Sequence, residues 1–230
     1  MSFLNQEVTL GEAYFNEMRQ YKTYIFDLDG TLLDTLQDLT NSVNYALRFF
    51  DMPERTRDEV RQFVGNGVRL LIERAVPTGT KDGITIKVFE TFRNHYLEHS
   101  LDNTKPYEGI IETLAELKRR GCNLAIVSNK LQPAVTELNN RFFSQYIDIA
   151  IGERIGIRRK PAPDMVNTVI KELGVDADNT VYIGDSDVDI QTATNSNLPC
   201  INVLWGFRDE KFLVQHGATT LISSPKDLIF

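Results

Sequence analysis

The sequence predicts an α/β protein with a Rossmann-like, doubly wound parallel-sheet core and an inserted helical cap. From residue 104 onward, short helical patterns alternate with short β-branched and aromatic runs, which is typical of parallel strands joined by crossover helices. Between residues 36 and 103 the hydrophobic periodicity is helical throughout. We therefore expect residues 21–35 and 104–230 to form the core, with the helical cap, residues 36–103, inserted between them.

The composition is that of an ordinary globular protein that can bury a full core. The chain has 230 residues, of which 42% are hydrophobic and 25% charged, and its net charge is −7. A net negative charge indicates no basic surface that would bind nucleic acid or an anionic membrane, so we expect neither as a partner. Cys122 and Cys200 each begin a predicted strand, where we expect buried, reduced thiols and hence a cytoplasmic protein.

Residues 1–20 form an N-terminal extension to which no function is assigned. They contain Glu7, Glu12 and Glu17, with neither a basic start nor a continuous apolar run. We therefore expect neither a secretory signal nor a membrane span here. Apolar residues at helical spacing predict a short helix over residues 11–20.

The first strand of the core, Thr23–Phe26, leads directly into an acidic loop. Asp27 and Asp29 follow it with one residue between them, and Gly30 permits a tight turn before the next helical pattern. Both carboxylates should therefore lie on a loop that a buried strand holds in place. The alternative is an Asp-Gly turn in which Asp29 or Asp34 caps the following helix and has no other role.

The helical cap begins with an amphipathic helix and returns to the core through a stretch of helix breakers. The helical pattern resumes at Thr56 and continues to about Ser100, without a convincing strand. Residues 103–109 bring the chain back, and we expect them to form the two strands of a hinge together with the Asp34-Thr35 region. A helical insert on such a hinge can close over a site as a lid.

Helices and strands alternate from the end of the cap to the end of the chain. The predicted helices span residues 109–120, 132–141 and 164–173, and the predicted strands span 122–127, 147–151, 180–184, 200–204 and about 219–222. Ligands bind such sheets outside the carboxyl ends of the strands. Asp27, Ser128 and Asp185 each follow a predicted strand, so we expect them to meet at one edge of the sheet.

Four motifs follow one another along the chain: Tyr24–Thr35, Ala125–Lys130, Arg159–Asp164 and Val181–Asp189. Their joint occurrence is far more specific than any one of them. Together they resemble the motifs of the haloacid dehalogenase superfamily of phosphatases. The resemblance implies that Asp27 is a nucleophile that forms a phosphoaspartate, and that Asp29 protonates the leaving alcohol and then deprotonates water.

The resemblance also implies a Mg²⁺ site at the carboxyl edge of the sheet. Asp27, the backbone carbonyl of Asp29 and Asp185 would hold the ion, a set of hard oxygen ligands that suits magnesium. Asp189, four residues after Asp185, would act there through water or by orienting Lys160. Lys160 would supply the fixed positive charge beside the phosphoryl group.

Ser128 and the backbone N–H of Asn129 are implied as donors to a phosphate oxygen. Taken singly, each of these residues has an ordinary explanation. Ser128 could cap the following helix, and Lys160 could be a solvated charge on a loop. Asp185 and Asp189 could be acids at the N-terminus of a helix. Their occurrence together with the first motif favours the catalytic interpretation.

Two further segments resemble phosphoglycolate phosphatases and indicate the class of substrate. Phe63–Ala75 is similar to their cap segment, and Trp205–Arg208 is similar to their turn after the fifth strand. Gly65 and Asn66 could present backbone N–H groups to a small carboxylate, with Arg69 near by. The alternative is a helix break that joins two cap helices.

The resemblance implies a small phosphorylated metabolite as partner, with 2-phosphoglycolate the leading candidate. We expect the chain to act as a monomer or homodimer. A nucleoside monophosphate or a sugar phosphate is an alternative substrate. An isomerase similar to β-phosphoglucomutase would use the same catalytic residues but return the phosphoryl group to a sugar. A non-catalytic binding protein is a further alternative, since fold does not fix function.

Overall fold

The computed structural model describes residues 20–229. The predicted helix over residues 11–20 lies, except for Gln20, outside the described residues, and Gln20 itself is in no regular structure. Within the described part of the chain, no helix is long and apolar enough to cross a membrane.

The core is a six-stranded, wholly parallel sheet. Its strands are β1 (Thr23–Phe26), β4 (Asn123–Leu131), β5 (Ile149–Glu153), β6 (Thr180–Gly184), β7 (Cys200–Val203) and β8 (Leu221–Ile222), in the spatial order β5-β4-β1-β6-β7-β8. β1 is central, and its last residue, Phe26, pairs with Ile126 of β4 and Ile183 of β6. The predicted doubly wound α/β class is confirmed.

Helices cover both faces of the sheet, because successive residues of a buried strand point to opposite faces. Tyr24 and Phe26 pack on one face with α5 (Ile110–Arg119) and α6 (Gln132–Phe142), whereas Ile25 packs on the other with α7 (Asp164–Leu173) and α8 (Asp187–Asn195). The last helix, α9 (Glu210–Gln215), and two 3₁₀ turns, Ala177–Asn179 and Pro225–Leu228, complete the core.

The cap has a hydrophobic cluster of its own, built from four helices. They are α1 (Leu36–Phe49), α2 (Arg57–Phe63), α3 (Val68–Ala75) and α4 (Asp82–His99). Thr56 begins α2 with a capping box, in which its side chain and that of Glu59 each bind the other's backbone N–H.

Two short antiparallel strands connect the cap to the core. They are β2 (Leu33–Asp34) and β3 (Lys105–Pro106). The buried carboxylate of Asp38, in the first turn of α1, accepts hydrogen bonds from the backbone N–H groups of Asn103 and Thr104 at 2.8–3.0 Å. The carboxylate of Asp38 therefore joins the segment that enters the cap to the segment that returns from it to the core.

The helix α9 was not predicted from the sequence. A second difference is in β4, which was predicted to end at residue 127 but extends to Leu131. Ser128, Asn129 and Lys130 are polar and suggest a loop, yet all three are buried. The pairing with β5 shifts register between Val127 and Leu131. This extension brings Lys130 to the carboxyl edge of the sheet.

Candidate active site

The loop after β1 places two carboxylates at the centre of the carboxyl edge. The N–H of Asp27 still donates to the carbonyl of Ile183 at 2.8 Å, so Asp27 is held by the sheet itself. Gly30 follows with φ of 90°, and a Cβ at this position would run into the carboxylate of Asp185. Glycine is therefore required here by both backbone conformation and space.

Three acidic side chains, one after β1, one after β6 and one in the first turn of α8, converge beside this loop. Ligand oxygens of Asp27, Asp185 and Asp189 all lie within 4.8 Å of one another, close enough to share one metal ion. One oxygen of Asp185 accepts a hydrogen bond from the backbone N–H of Phe207 at 2.7 Å, and the other accepts one from the Thr31 hydroxyl at 3.3 Å. The oxygen-only donor set fits a hard divalent cation.

Asp189 differs from the other two acids because both of its oxygens already accept several hydrogen bonds. One accepts from Lys160 at 2.8 Å and from the Tyr182 hydroxyl at 3.1 Å. The other accepts from the backbone of Asp185 and from the N–H and hydroxyl of Ser186, at 2.6–3.2 Å. Ser186 is the N-cap of α8, so Asp189 serves that cap and orients Lys160 at the same time.

Lys160 bridges two of these carboxylates. Its Nζ lies 2.7 Å from Oδ1 of Asp27 and 2.8 Å from Oδ1 of Asp189, and its side chain is only 3% exposed. The side-chain amide of Asn129 fixes the lysine's backbone, since it donates to the Lys160 carbonyl at 3.1 Å and accepts from the Lys160 N–H at 2.8 Å. Asn129 thus positions Lys160 through its side chain.

Burial and mutual repulsion set the electrostatics of the acidic cluster. Burial raises the pKa of Asp27 well above its ordinary value; Lys160 opposes this, and the charges of Asp189 and Asp185 add to it. Burial and the charge of Asp189 raise the pKa of Asp185 to about 7. Burial disfavours the charged form of Lys160, but the charges of Asp189 and Asp27 outweigh it, so its pKa is well above normal. Added positive charge would stabilise this cluster.

A second buried lysine, Lys130, was not predicted as a site residue. Its Nζ lies 2.9 Å and 3.0 Å from the two carboxylate oxygens of Asp29, and 2.8 Å from the hydroxyl of Tyr96 on α4 of the cap. Burial raises the pKa of Tyr96 to about 12, which keeps it a neutral hydroxyl. The sequence carried one usable signal: in an extended strand Lys130 faces the same side as Ser128, two residues earlier.

These groups surround a cavity of about 50 Å³ between core and cap. The core contributes carboxylates, lysines and the Ser128-Asn129 pair, and the cap contributes an apolar wall with two glycines. The lining residues are Asp27, Asp29, Leu39, Val64, Gly65, Gly67, Val68, Leu71, Ser128, Asn129, Lys130 and Lys160.

Of the three cap residues predicted to contact substrate, the structure brings only Gly65 to the cavity. The side chain of Arg69 is 71% exposed and pairs with Glu73 at 3.1 Å. Arg69 is absent from the described residues that line the cavity, and so is Asn66, whose Oδ1 accepts from Arg74 at 3.0 Å. On α3, Val68 and Leu71 face the cavity instead, because the helix turns its apolar side towards the core.

The turn Trp205–Arg208 joins the acidic cluster to the cap. The Phe207 N–H binds Asp185, while its side chain packs in the cap cluster. The guanidinium of Arg208 donates to the carbonyls of Arg61 and Val64 at 2.7 Å and 2.8 Å, at the C-terminal end of α2. The turn therefore contacts both Asp185 and the cap within four residues.

Comparison with known proteins indicates the same family that the sequence motifs resemble. A family model described as haloacid dehalogenase-like hydrolase matches residues 24–203. The phosphoglycolate phosphatase of Aquifex aeolicus is 34% identical over 213 residues, which are 90% of this chain and 95% of that protein. Phosphoglycolate phosphatase 1 of Pseudomonas aeruginosa is 30% identical over 96% of this chain and 83% of its own.

The fold of this chain is also similar to that of a solved structure. A crystal structure from Lactobacillus delbrueckii subsp. bulgaricus superposes with a TM-score of 0.88 at 38% identity, covering 91% of this chain and 97% of that one. This match spans both the core and the cap.

Proposed function

The chain belongs to the haloacid dehalogenase-like hydrolases and is a phosphoric monoester hydrolase, and we propose that it cleaves a small phosphorylated carboxylic acid, with 2-phosphoglycolate the leading candidate. The proposal depends chiefly on one observation. Oδ1 of Asp27 lies 2.7 Å from Nζ of Lys160, and both residues line a small cavity together with Asp29.

Asp27 is the nucleophile in this proposal. One of its oxygens attacks phosphorus, the bond from phosphorus to the ester oxygen breaks, and a phosphoaspartate forms. Splitting hydrolysis into transfer to Asp27 and hydrolysis of the acyl phosphate replaces one difficult step by two easier ones. Lys160 offsets the negative charge that gathers when a phosphate approaches a carboxylate. Ser128, buried at the cavity wall, donates to a phosphate oxygen.

Asp29 handles the proton in both half-reactions. It protonates the departing alkoxide in the first step, and as a carboxylate it then removes a proton from the water that attacks the phosphoaspartate. Its side chain is 17% exposed and lines the cavity, so it can reach both oxygens. An enzyme that released halide would not need this second acid.

Mg²⁺ is the proposed cofactor, held by Asp27, Asp185 and the backbone carbonyl of Asp29. When bound, it supplies positive charge to the phosphoryl oxygens. In the described part of the chain, the four carboxylates of the site pair with two lysines, and a divalent cation would make up that difference in charge. Asp189 acts on this site through Lys160, since its own oxygens are fully engaged.

The cap segment supports a small substrate. Phe63–Ala75 resembles the cap segment of phosphoglycolate phosphatases, which argues against an isomerase similar to β-phosphoglucomutase. Gly65 of this segment lines the cavity together with Asp27 and Asp29. The relatives named phosphoglycolate phosphatase point to the same substrate.

The proposal is tested by phosphate release from 2-phosphoglycolate, sugar phosphates and nucleoside monophosphates, with Mg²⁺ and with a chelator. We expect metal-dependent turnover with the highest kcat/KM for 2-phosphoglycolate. A higher kcat/KM for a sugar phosphate or a nucleotide would contradict the substrate, and full activity in the chelator would contradict the metal.

A further inference from the structure

Two lysines are found among the described residues that line the cavity, and each pairs with a different carboxylate. Lys160 contacts the proposed nucleophile Asp27, whereas Lys130 contacts Asp29, the proposed acid. Charge neutralisation at the phosphoryl group accounts for Lys160. It does not account for Lys130, which is paired with a residue that acts on the leaving group.

The in-line geometry of phosphoryl transfer indicates where the leaving group lies relative to Lys130. The attacking and leaving oxygens lie on opposite sides of phosphorus. Asp29 must reach the leaving oxygen, so whatever is attached to that oxygen lies on the Asp29 side of the cavity. Among the described residues that line the cavity, Lys130 is the cation paired with Asp29, since its Nζ lies within 3.0 Å of both Asp29 oxygens.

The ammonium of Lys130 is fixed in place and can still donate a hydrogen bond to an anionic group of the substrate. Its side chain is 4% exposed, and the Tyr96 hydroxyl of α4 holds it from the cap side at 2.8 Å. It donates to both oxygens of Asp29. When Asp29 turns one oxygen towards the leaving group, one N–H of the lysine becomes available to an anion at that place.

Resting on the proposed function above, we propose that Lys130 binds the carboxylate of the leaving group and thereby makes the enzyme prefer phosphate esters whose alcohol carries a negative charge. Tyr96 holds the lysine in this position when the cap is closed. Lys130 thus takes the role that the sequence suggested for Arg69, whose guanidinium is exposed and paired with Glu73.

The preference for an anionic leaving group is the quantity that tests this inference. The full chain would be assayed on 2-phosphoglycolate and on the corresponding amide. The amide has nearly the same shape and the same phosphate, but an uncharged group replaces the carboxylate. For Lys130→Gln we expect kcat/KM to fall by roughly 10²-fold on 2-phosphoglycolate, the scale of a lost charge-assisted hydrogen bond, and much less on the amide. Lys130→Arg should keep most of the preference.

Two further variants complete the experiment. Lys118→Gln is the matched control, because Lys118 also pairs with an aspartate, Asp148, at 2.9 Å but lies outside the cavity lining; it should behave as wild type. Tyr96→Phe removes only the hydroxyl that holds Lys130, and we expect the preference to fall several-fold, about the effect of one hydrogen bond. This variant decides the matter if Lys130→Gln does not fold.

The outcomes separate this inference from the proposed substrate. Equal losses on the acid and the amide in Lys130→Gln would mean that Lys130 acts only through Asp29, and would overturn the inference alone. A preference that survives in both Lys130→Gln and Tyr96→Phe would do the same. A wild-type enzyme that cleaves other phosphate esters but shows no preference for 2-phosphoglycolate over its amide would overturn both the inference and the substrate.

Discussion

The ammonium of Lys160 lies between the carboxylates of Asp27 and Asp189, 2.7 Å from the first and 2.8 Å from the second. All three side chains are buried, and each would be costly to bury without the others. The sheet and α8 hold the two acids, so the position of the lysine is fixed before any substrate arrives. This preorganisation is what a phosphoryl-transfer site requires.

Replacing Lys160 should therefore remove catalysis rather than substrate binding alone. For Lys160→Gln we expect kcat to fall roughly 10²- to 10³-fold, the effect of losing one preorganised charge at the reacting group. Steady-state kinetics on the folded variant measure this. Lys171→Gln, at an exposed position on α7, is the control, and a normal kcat in Lys160→Gln would refute the role given to the lysine.

Mg²⁺ should stabilise the protein, and more so at higher pH. In the metal-free protein, burial and Asp189 raise the pKa of Asp185 to about 7, above the value near 4 of an unfolded chain. Folding then favours the protonated acid, so its contribution is complete below about pH 4 and is lost as pH rises through about 7. Mg²⁺ competes with that proton and binds more tightly above pH 7.

Thermal unfolding with and without Mg²⁺ at pH 6 and pH 8 tests this linkage. At one fixed Mg²⁺ concentration, 100 times the Kd at pH 8, the ion should contribute about 2.7 kcal/mol at pH 8, or roughly 5–10 °C in Tm, and less at pH 6. Asp185→Asn should lose most of that shift. A Tm shift that is equal at the two pH values, or unchanged in Asp185→Asn, would argue against Asp185 as a ligand.

Asp38 should be a major source of stability at the junction of core and cap. Its buried carboxylate accepts from the backbone and side chains of both Asn103 and Thr104. Asp38→Asn places an amide N–H₂ against some of these donors, and we expect a loss of about 2–4 kcal/mol in the free energy of unfolding. Denaturant unfolding measures it, with the exposed Asp58→Asn as control. A loss no larger than that of the control would contradict the account.

Arg208 should hold the cap against the core. Its guanidinium binds carbonyls at the C-terminal end of α2, so Arg208→Ala leaves that helix end without its partner. We expect faster amide exchange in α2 and a roughly tenfold lower kcat/KM, consistent with losing charge-assisted hydrogen bonds. The exposed Arg154→Ala is the control. Unchanged exchange in α2 would show that the cap does not depend on this contact.

The order of helices and strands could be predicted because the hydrophobic period changes clearly along the chain. The helix 164–173 and the strand 180–184 agree with the structure residue for residue. The end of β4 could not be predicted, since Ser128, Asn129 and Lys130 are polar. Their burial depends on partners, such as Asp29 and Tyr96, that are distant in sequence.

The proximity of the core residues at the carboxyl edge could be anticipated from their motifs, whereas the cap residues that line the cavity could not. Asp27, Asp29, Lys160 and Asp185 follow strand ends or ordered motifs, and the topology brings strand ends together. Arg69 was expected at the cavity because of its neighbours in sequence. Its partner four residues later, Glu73, indicates instead a pair on the exposed side of α3, a signal that was available in the sequence.

Trapping the covalent intermediate on the full chain tests whether Asp27 is the nucleophile. The enzyme would be mixed with Mg²⁺ and 2-phosphoglycolate, quenched and reduced with borohydride, which converts an aspartyl phosphate to homoserine, and mapped by peptide mass spectrometry. We predict homoserine at position 27 in the wild type and none in Asp27→Asn, which should also lack turnover. A phosphorylated residue elsewhere, or full turnover by Asp27→Asn, would contradict the central claim that Asp27 is the nucleophile.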